Sequence, residues 1–162
     1  MEIIDNFLTQ KEYKNFYQDI MSPEFAWFYN DFKISAGEKE QIQDFQFTHS
    51  FWLDGVASNK IEMLKPLLKK IGKPSLLRAK ANLGAVTEKH YAAGLHVDNN
   101  TSLVFTGIYY VNDNNGYTLF KNGTKVESKA NRFLEFESKE YHSGVSQTNT
   151  KRRVVVNLNY LK

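Results

Sequence analysis

Residues 94–112 read GLHVDNNTSLVFTGIYYVN, a polar, histidine-bearing segment that runs straight into an apolar one. In an extended chain, side chains two positions apart project to the same side. His96 and Asp98 would therefore form a two-pronged polar clip, although Asp98 could instead cap the backbone of Asn99 and Asn100 in a turn. After that polar turn, Leu103–Val111 is a run of β-branched and aromatic residues, which predicts a strand.

Similar runs follow on both sides. Strands are predicted at Leu76–Leu83, Tyr117–Lys121, Arg132–Glu137 and Arg153–Tyr160, with turns at residues 113–116 and 121–123 where Asn, Asp and Gly cluster. The last strand has two distinct faces, Arg153, Val155, Asn157 and Asn159 against Val154, Val156, Leu158 and Tyr160, so one face carries polar groups inward. Ahead of these strands the texture differs. A short strand at Glu2–Phe7 precedes a helix from Thr9 to Met21, in which Thr9 and Glu12 have capping-box spacing and Tyr13, Phe16, Tyr17 and Ile20 share a face. A second helical stretch, Asn59–Ile71, should be kinked or split at Pro66. The prediction is a mostly β protein with flanking helices. One domain is expected over 1–162, with a flanking layer of helices and strand over about 1–73 and a β core over about 74–162.

Composition narrows the chemistry. The 162 residues contain no cysteine, which excludes disulfides, thiolate metal sites and cysteine nucleophiles and leaves His and carboxylates as metal ligands. A net charge of +3 spread along the chain gives no clear nucleic-acid signal. The acidic and polar start does not read as a signal peptide, and no run approaches the ~18 apolar residues of a membrane helix, so a cytoplasmic location is expected. Nothing specifies an oligomeric state.

A third ligand to complete the clip is sought elsewhere, and His142, in Glu140-Tyr-His-Ser-Gly144 between two strand-like runs, is the best candidate. Two imidazoles and one carboxylate make a facial triad, which leaves coordination positions open on Fe(II). The order of motifs is informative: His96-Val-Asp98, the strand ending Ile108-Tyr-Tyr-Val-Asn112, Gly116-Tyr-Thr-Leu-Phe120, Arg132-Phe-Leu-Glu-Phe136, then His142 and a basic pair at Arg152–Arg153. In this order, over about Leu76–Tyr160, the sequence resembles the prolyl 4-hydroxylase-like branch of the 2-oxoglutarate/Fe(II) oxygenases, especially compact bacterial and phage-encoded members.

That resemblance implies a double-stranded β-helix, or jelly-roll, core. It also implies iron held by His96, Asp98 and His142, with O2 and 2-oxoglutarate as cosubstrates and ascorbate supporting activity. The cosubstrate's far carboxylate would be gripped by a basic residue heading the last strand. Arg153, which shares a face with Val155 and Asn157, fits that place better than Arg152, whose side chain points the other way. Tyr110 matches a family tyrosine whose hydroxyl bonds the same carboxylate, or it is an aromatic core residue. Thr118 would reach cosubstrate or fill the barrel. The implied reaction hydroxylates an unactivated C–H, foremost a prolyl residue of a peptide or protein, and releases succinate and CO2.

Other readings remain open: an oxygenase acting on a small molecule or nucleobase, a noncatalytic jelly-roll binding module, or a metal hydrolase or isomerase for which no general base is evident. His49, in the strand-like Phe45–Trp52, is read as a core histidine and His90 as a rim residue. Gly84–Gly94 and Phe45–Gly55 are read as lids around the barrel mouth, and Trp27, Phe28, Tyr29, Phe51 and Trp52 as core before substrate platform.

Overall fold

A computed structural model describes residues 1–33 and 44–162. Its main feature is a large antiparallel sheet whose central strand is β11 (Arg152–Leu161), flanked by β5 (Ser75–Ala85) and β6 (Val104–Tyr110). β9 (Arg132–Glu137) and β1 (Glu2–Ile4) extend it beyond β6, while β3 (Gln46–Leu53) and β2 (Phe28–Asn30) extend it beyond β5, with β4 (Val56–Ala57) on β3. A small second sheet has the order β10 (His142–Val145), β7 (Tyr117–Phe120), β8 (Lys125–Glu127). Bridges from Ala92 to Val145 and from His96 to His142 lay the 92–96 segment along its open edge. Two facing sheets of this kind are the expected double-stranded β-helix.

Alternation along each strand feeds two apolar layers. Ala79, Ala81, Val154, Val156, Leu158, Tyr109 and Phe133 face outward and pack with Phe7, Phe16, Ile20, Phe51, Leu64 and Leu67. Ile108, Tyr110, Leu134, Phe136 and Val155 face inward and meet Phe120 and Val126 of the small sheet. Gly107 permits the outer packing: a Cβ there would lie 2.5 Å from Phe133 Cζ and 3.2 Å from Tyr160 Cε1.

The helices form where their capping chemistry puts them. α1 (Gln10–Ile20) starts at Thr9, whose hydroxyl accepts from the Glu12 amide while the Glu12 carboxylate accepts from the Thr9 amide. The Asn59–Ile71 stretch divides as Pro66 requires, into a 3-10 turn over Ile61–Leu64 and α2 (Lys65–Ile71) with the proline in its first turn, where no amide donor is needed.

Several local expectations are corrected. β2, β4, β8 and β10 are strands that hydrophobic pattern does not announce. Phe45–Gly55 is no lid: β3 runs through it and pairs with β5 from Phe47 opposite Leu83 to Leu53 opposite Arg78. The residues before 73 therefore supply sheet as well as cover.

Candidate active site

His96, Asp98 and His142 converge, with one possible ligand atom from each lying within 4.8 Å of the others. His96 and His142 are held by a pair of mutual backbone hydrogen bonds, each 2.9 Å, between the 92–96 segment and the first residue of β10. Asp98 is fixed by its amide, which donates to the Ser138 carbonyl at 3.1 Å. The clip therefore sits where an irregular segment crosses between the sheets, and its side chains point into the space they enclose.

The donor atoms are prepared for a cation. His142 Nδ1 lies 2.9 Å from the Glu140 carbonyl, and His96 Nδ1 lies 3.4 Å from the Gly94 carbonyl. A carbonyl can only accept, so each Nδ1 carries the proton and each Nε2 presents its lone pair. The Nε2 atoms lie 3.9 Å (His96) and 3.8 Å (His142) from the Asp98 carboxylate oxygens. Asp98 Oδ2 accepts from Thr106 Oγ1 at 2.8 Å and Asn159 Nδ2 at 3.2 Å, which leaves Oδ1 without a bonded partner among the described residues. Thr106 is tied in turn to Ser138 Oγ at 2.8 Å and to Asn159 Nδ2 at 3.0 Å. Burial works to raise the Asp98 carboxyl, but the charges of His142 and Arg78 and the bonds from Thr106 and Asn159 outweigh it and hold the group below its ordinary range. Burial lowers His96, and His142 adds to the effect. Both shifts favour the metal-binding protonation states, a carboxylate and a neutral imidazole. Two donors about 2.1 Å from one ion stand about 3.0 Å apart in cis positions, so the three groups need to close by about 1–2 Å, within the range of side-chain rotation. The residues fit an Fe(II) facial triad.

A cavity of about 120 Å³ runs from these ligands between the two sheets and is also lined by Thr118, Gly144, Arg153, Val155 and Asn157. Arg153 Nε donates to Ser128 Oγ at 2.8 Å, and the guanidinium lies over the Tyr110 ring, 5.7 Å from its centroid. No carboxylate among the described residues pairs with it. Burial draws its pKa below the ordinary arginine value, and Tyr110 opposes the shift; an arginine stays charged regardless. Arg152 is exposed on the other face of β11, where Nη2 reaches the Met21 carbonyl at 3.4 Å. Tyr110 is wholly buried, and its hydroxyl bonds Thr118 Oγ1 at 2.7 Å. Thr118 thus stands between Tyr110 and the cavity, and Tyr110 underlies Arg153 with its ring.

The remaining histidines lie away from the triad. His49 is buried against Phe25 and Phe51, with Nδ1 2.9 Å from the Ala26 carbonyl and Nε2 3.1 Å from Ser58 Oγ. His90 is exposed in the 86–93 loop, which is pinned to residues 144–151 by Val86, Thr87, Ala93 and Ser146 amide bonds. Phe51 is core, Trp27 and Trp52 pack against the core, and Phe28 and Tyr29 are exposed on β2. The Thr106–Ser138–Asn159 support of Asp98 is not anticipated by the motif reading. Its signal was the polar face of the last strand, which extends to Asn159.

No protein-family model matches the sequence, and no curated protein matches it. Among solved structures, the chain has the fold of the 2-oxoglutarate- and iron-dependent oxygenases. The non-heme α-ketoglutarate-dependent epimerase SnoN of nogalamycin biosynthesis superposes with a TM-score of 0.67 at 12% identity, over 99% of this chain and 77% of the other. Within that class the likeness extends to prolyl hydroxylases. One from Trichoplax adhaerens, in complex with a peptide fragment of the oxygen degradation domain of hypoxia-inducible factor, gives a TM-score of 0.68 at 16% identity over 99% of this chain and 82% of that one. The prolyl-4-hydroxylase of Pseudomonas putida gives 0.58 at 13% identity over 99% and 91%. At these identities the likeness is one of fold, and it agrees with the resemblance in the order of motifs.

Proposed function

We propose that the chain is a single-domain Fe(II)- and 2-oxoglutarate-dependent dioxygenase that hydroxylates an unactivated C–H, foremost of a prolyl residue in a peptide or protein. The observation that carries this reading is Arg153: a cation without a carboxylate partner among the described residues, lining the same cavity as two imidazoles and a carboxylate. A metal triad alone suits many reactions, whereas a triad facing a fixed guanidinium suits a dicarboxylate that spans the two.

His96, Asp98 and His142 would hold the iron, and Arg153 would grip the far carboxylate of 2-oxoglutarate, with Thr118 and Tyr110 shaping that end. Iron and 2-oxoglutarate, when bound, would with O2 supply an oxidant strong enough to take hydrogen from carbon, one oxygen atom going to succinate as CO2 leaves and the other to the product hydroxyl. The chain's own part is to keep the three ligands on one side of the metal, fix the cosubstrate's direction through Arg153, and exclude water with the apolar wall of Ile108 and Val155. Thr106 and Asn159 orient Asp98 for this task. Substrate preference for a prolyl residue is supported by the prolyl hydroxylases that share the fold, one of them holding a peptide.

Succinate formed from 2-oxoglutarate by protein with Fe(II), ascorbate and air provides the test, with prolyl peptides supplied. Turnover in the wild type and its loss in His142→Ala are expected. Equal turnover in both, or none in the iron-loaded wild type, would defeat the assignment.

A further inference from the structure

Arg78, Lys80 and Asn82 alternate along β5, and all three line the cavity. Register sets them beside Asn159, Asn157 and Val155 of β11. The opposite face of the same strand is ordinary core: Ala79 and Ala81 are fully buried and Leu83 packs with them. β5 therefore turns a row of polar and charged groups inward, whereas β6 and β9 present Ile108, Tyr110, Leu134 and Phe136 to the same interior. A strand does this at a cost unless something meets the row.

Nothing among the described residues meets it fully. Six buried side-chain atoms lack a hydrogen-bond partner among the described residues, and four belong to cavity-lining residues: Arg78 Nε, Asn82 Oδ1, Gln147 Oε1 and Asn157 Oδ1. Gln147 uses its amide nitrogen on the Gly84 carbonyl at 3.1 Å and the Thr150 carbonyl at 3.3 Å, which leaves Oε1 as a fixed acceptor. Neither Arg78 nor Lys80 forms an ion pair with a described residue. Both sit within electrostatic reach of the triad, since Arg78 acts on Asp98 and His96, and Asp98 acts on Lys80. On the oxygenase reading the far carboxylate of 2-oxoglutarate would answer Arg153 and the metal would answer Asp98, which leaves the two β5 cations without an anion among the described residues.

Resting on the oxygenase reading above, we propose that β5 carries the substrate subsite of this centre and takes a substrate with a carboxylate, held by Arg78 and Lys80. Its hydrogen-bond donors turn toward the acceptors of Asn82, Gln147 and Asn157. The two residues stand about 7 Å apart along the strand on one face, within reach of one small group through their long side chains, and the guanidinium fork suits a carboxylate in particular. The carboxylate thereby anchors the substrate next to the metal, and this is the specificity the peptide-only reading lacks.

The test uses Fe(II)-loaded protein kept anaerobic with saturating 2-oxoglutarate, titrated by calorimetry with matched acids and amides. The pairs are L-proline and L-prolinamide, N-acetyl-L-proline and its amide, and Gly-Pro-Glu and Gly-Pro-Gln. In at least one pair the acid should bind about tenfold or more tightly than the amide, and Arg78→Gln or Lys80→Gln should each remove most of that preference while 2-oxoglutarate affinity moves less than about threefold. Two variants guard against loss of folding in one, and thermal melting of each is the control. No acid preference in any pair overturns the proposal. A large loss of 2-oxoglutarate affinity in Lys80→Gln also overturns it, because the lysine then serves the cosubstrate's own carboxylate. Failure of the wild type to bind 2-oxoglutarate is a different result: it removes the oxygenase reading, and the subsite with it.

Discussion

Replacing Arg153 by Met separates a cosubstrate anchor from a structural arginine. Methionine keeps most of the stem that packs beside Gly116, where an added Cβ would lie 2.8 Å from Arg153 Cδ, but it removes the charged fork that lies over the Tyr110 ring. Two charge-assisted hydrogen bonds to a carboxylate in a desolvated site, discounted for the water that replaces them, are worth about 2–4 kcal/mol. At about 1.4 kcal/mol per factor of ten, the 2-oxoglutarate Kd should rise about 30- to 1,000-fold. Stability should behave differently. Without cosubstrate the guanidinium is desolvated and, among the described residues, is met by Ser128 Oγ and the Tyr110 face, so an apolar side chain of similar volume should leave unfolding free energy within about 1 kcal/mol of wild type. Calorimetry of 2-oxoglutarate binding and urea melts of the cosubstrate-free protein measure the two quantities, with Arg152→Met as the control on the opposite strand face. An affinity within about threefold of wild type, a stability loss matching the affinity loss, or a larger effect from Arg152 would refute the reasoning.

Three further outcomes follow from the same geometry. Thr106→Val leaves Asp98 Oδ2 with Asn159 as its remaining side-chain donor, and should weaken metal binding about 10- to 100-fold in a competition titration, with the secondary structure unchanged by circular dichroism. Gly107→Ala drives a methyl into Phe133 and Tyr160 and should destabilise by about 1–3 kcal/mol in a denaturant melt. Asp5 is bound by Arg132 and Lys129, whose hydrogen bonds and charges hold its carboxyl far below the ordinary 3.8. Because the folded value is the lower one, its contribution is present above about pH 4 and lost as pH falls below it, so Asp5→Asn should flatten the acid limb of a stability curve. The pair is partly exposed, so the change should be small and weaken further with salt.

How far the sequence reached depends on the kind of signal. The capping box at Thr9, the break at Pro66 and the two faces of β11 were legible because each is a local rule acting on neighbouring residues. The short strands were not. β10 is the four residues His142-Ser-Gly-Val145, and its extended form comes from pairing with β7 and the His96 bridge rather than from propensity. Within the site, spacing brought His96 and Asp98 to one side, while the approach of His142 depends on backbone pairing between segments more than 40 residues apart, for which only the order of motifs spoke. The inward row of Arg78, Lys80 and Asn82 was hidden because its outward partners Ala79 and Ala81 are small, so the strand's alternation looks weak although both faces are specific.

The central claim is that His96, Asp98 and His142 hold a metal on which 2-oxoglutarate binds. An anaerobic calorimetric titration of 2-oxoglutarate, with and without one equivalent of Fe(II), tests it most directly in the wild type and in His96→Ala, Asp98→Ala and His142→Ala. One cosubstrate should bind per chain, tightly only when Fe(II) is present and more weakly in all three variants. Binding that ignores Fe(II), or that survives loss of a ligand unchanged, would contradict it.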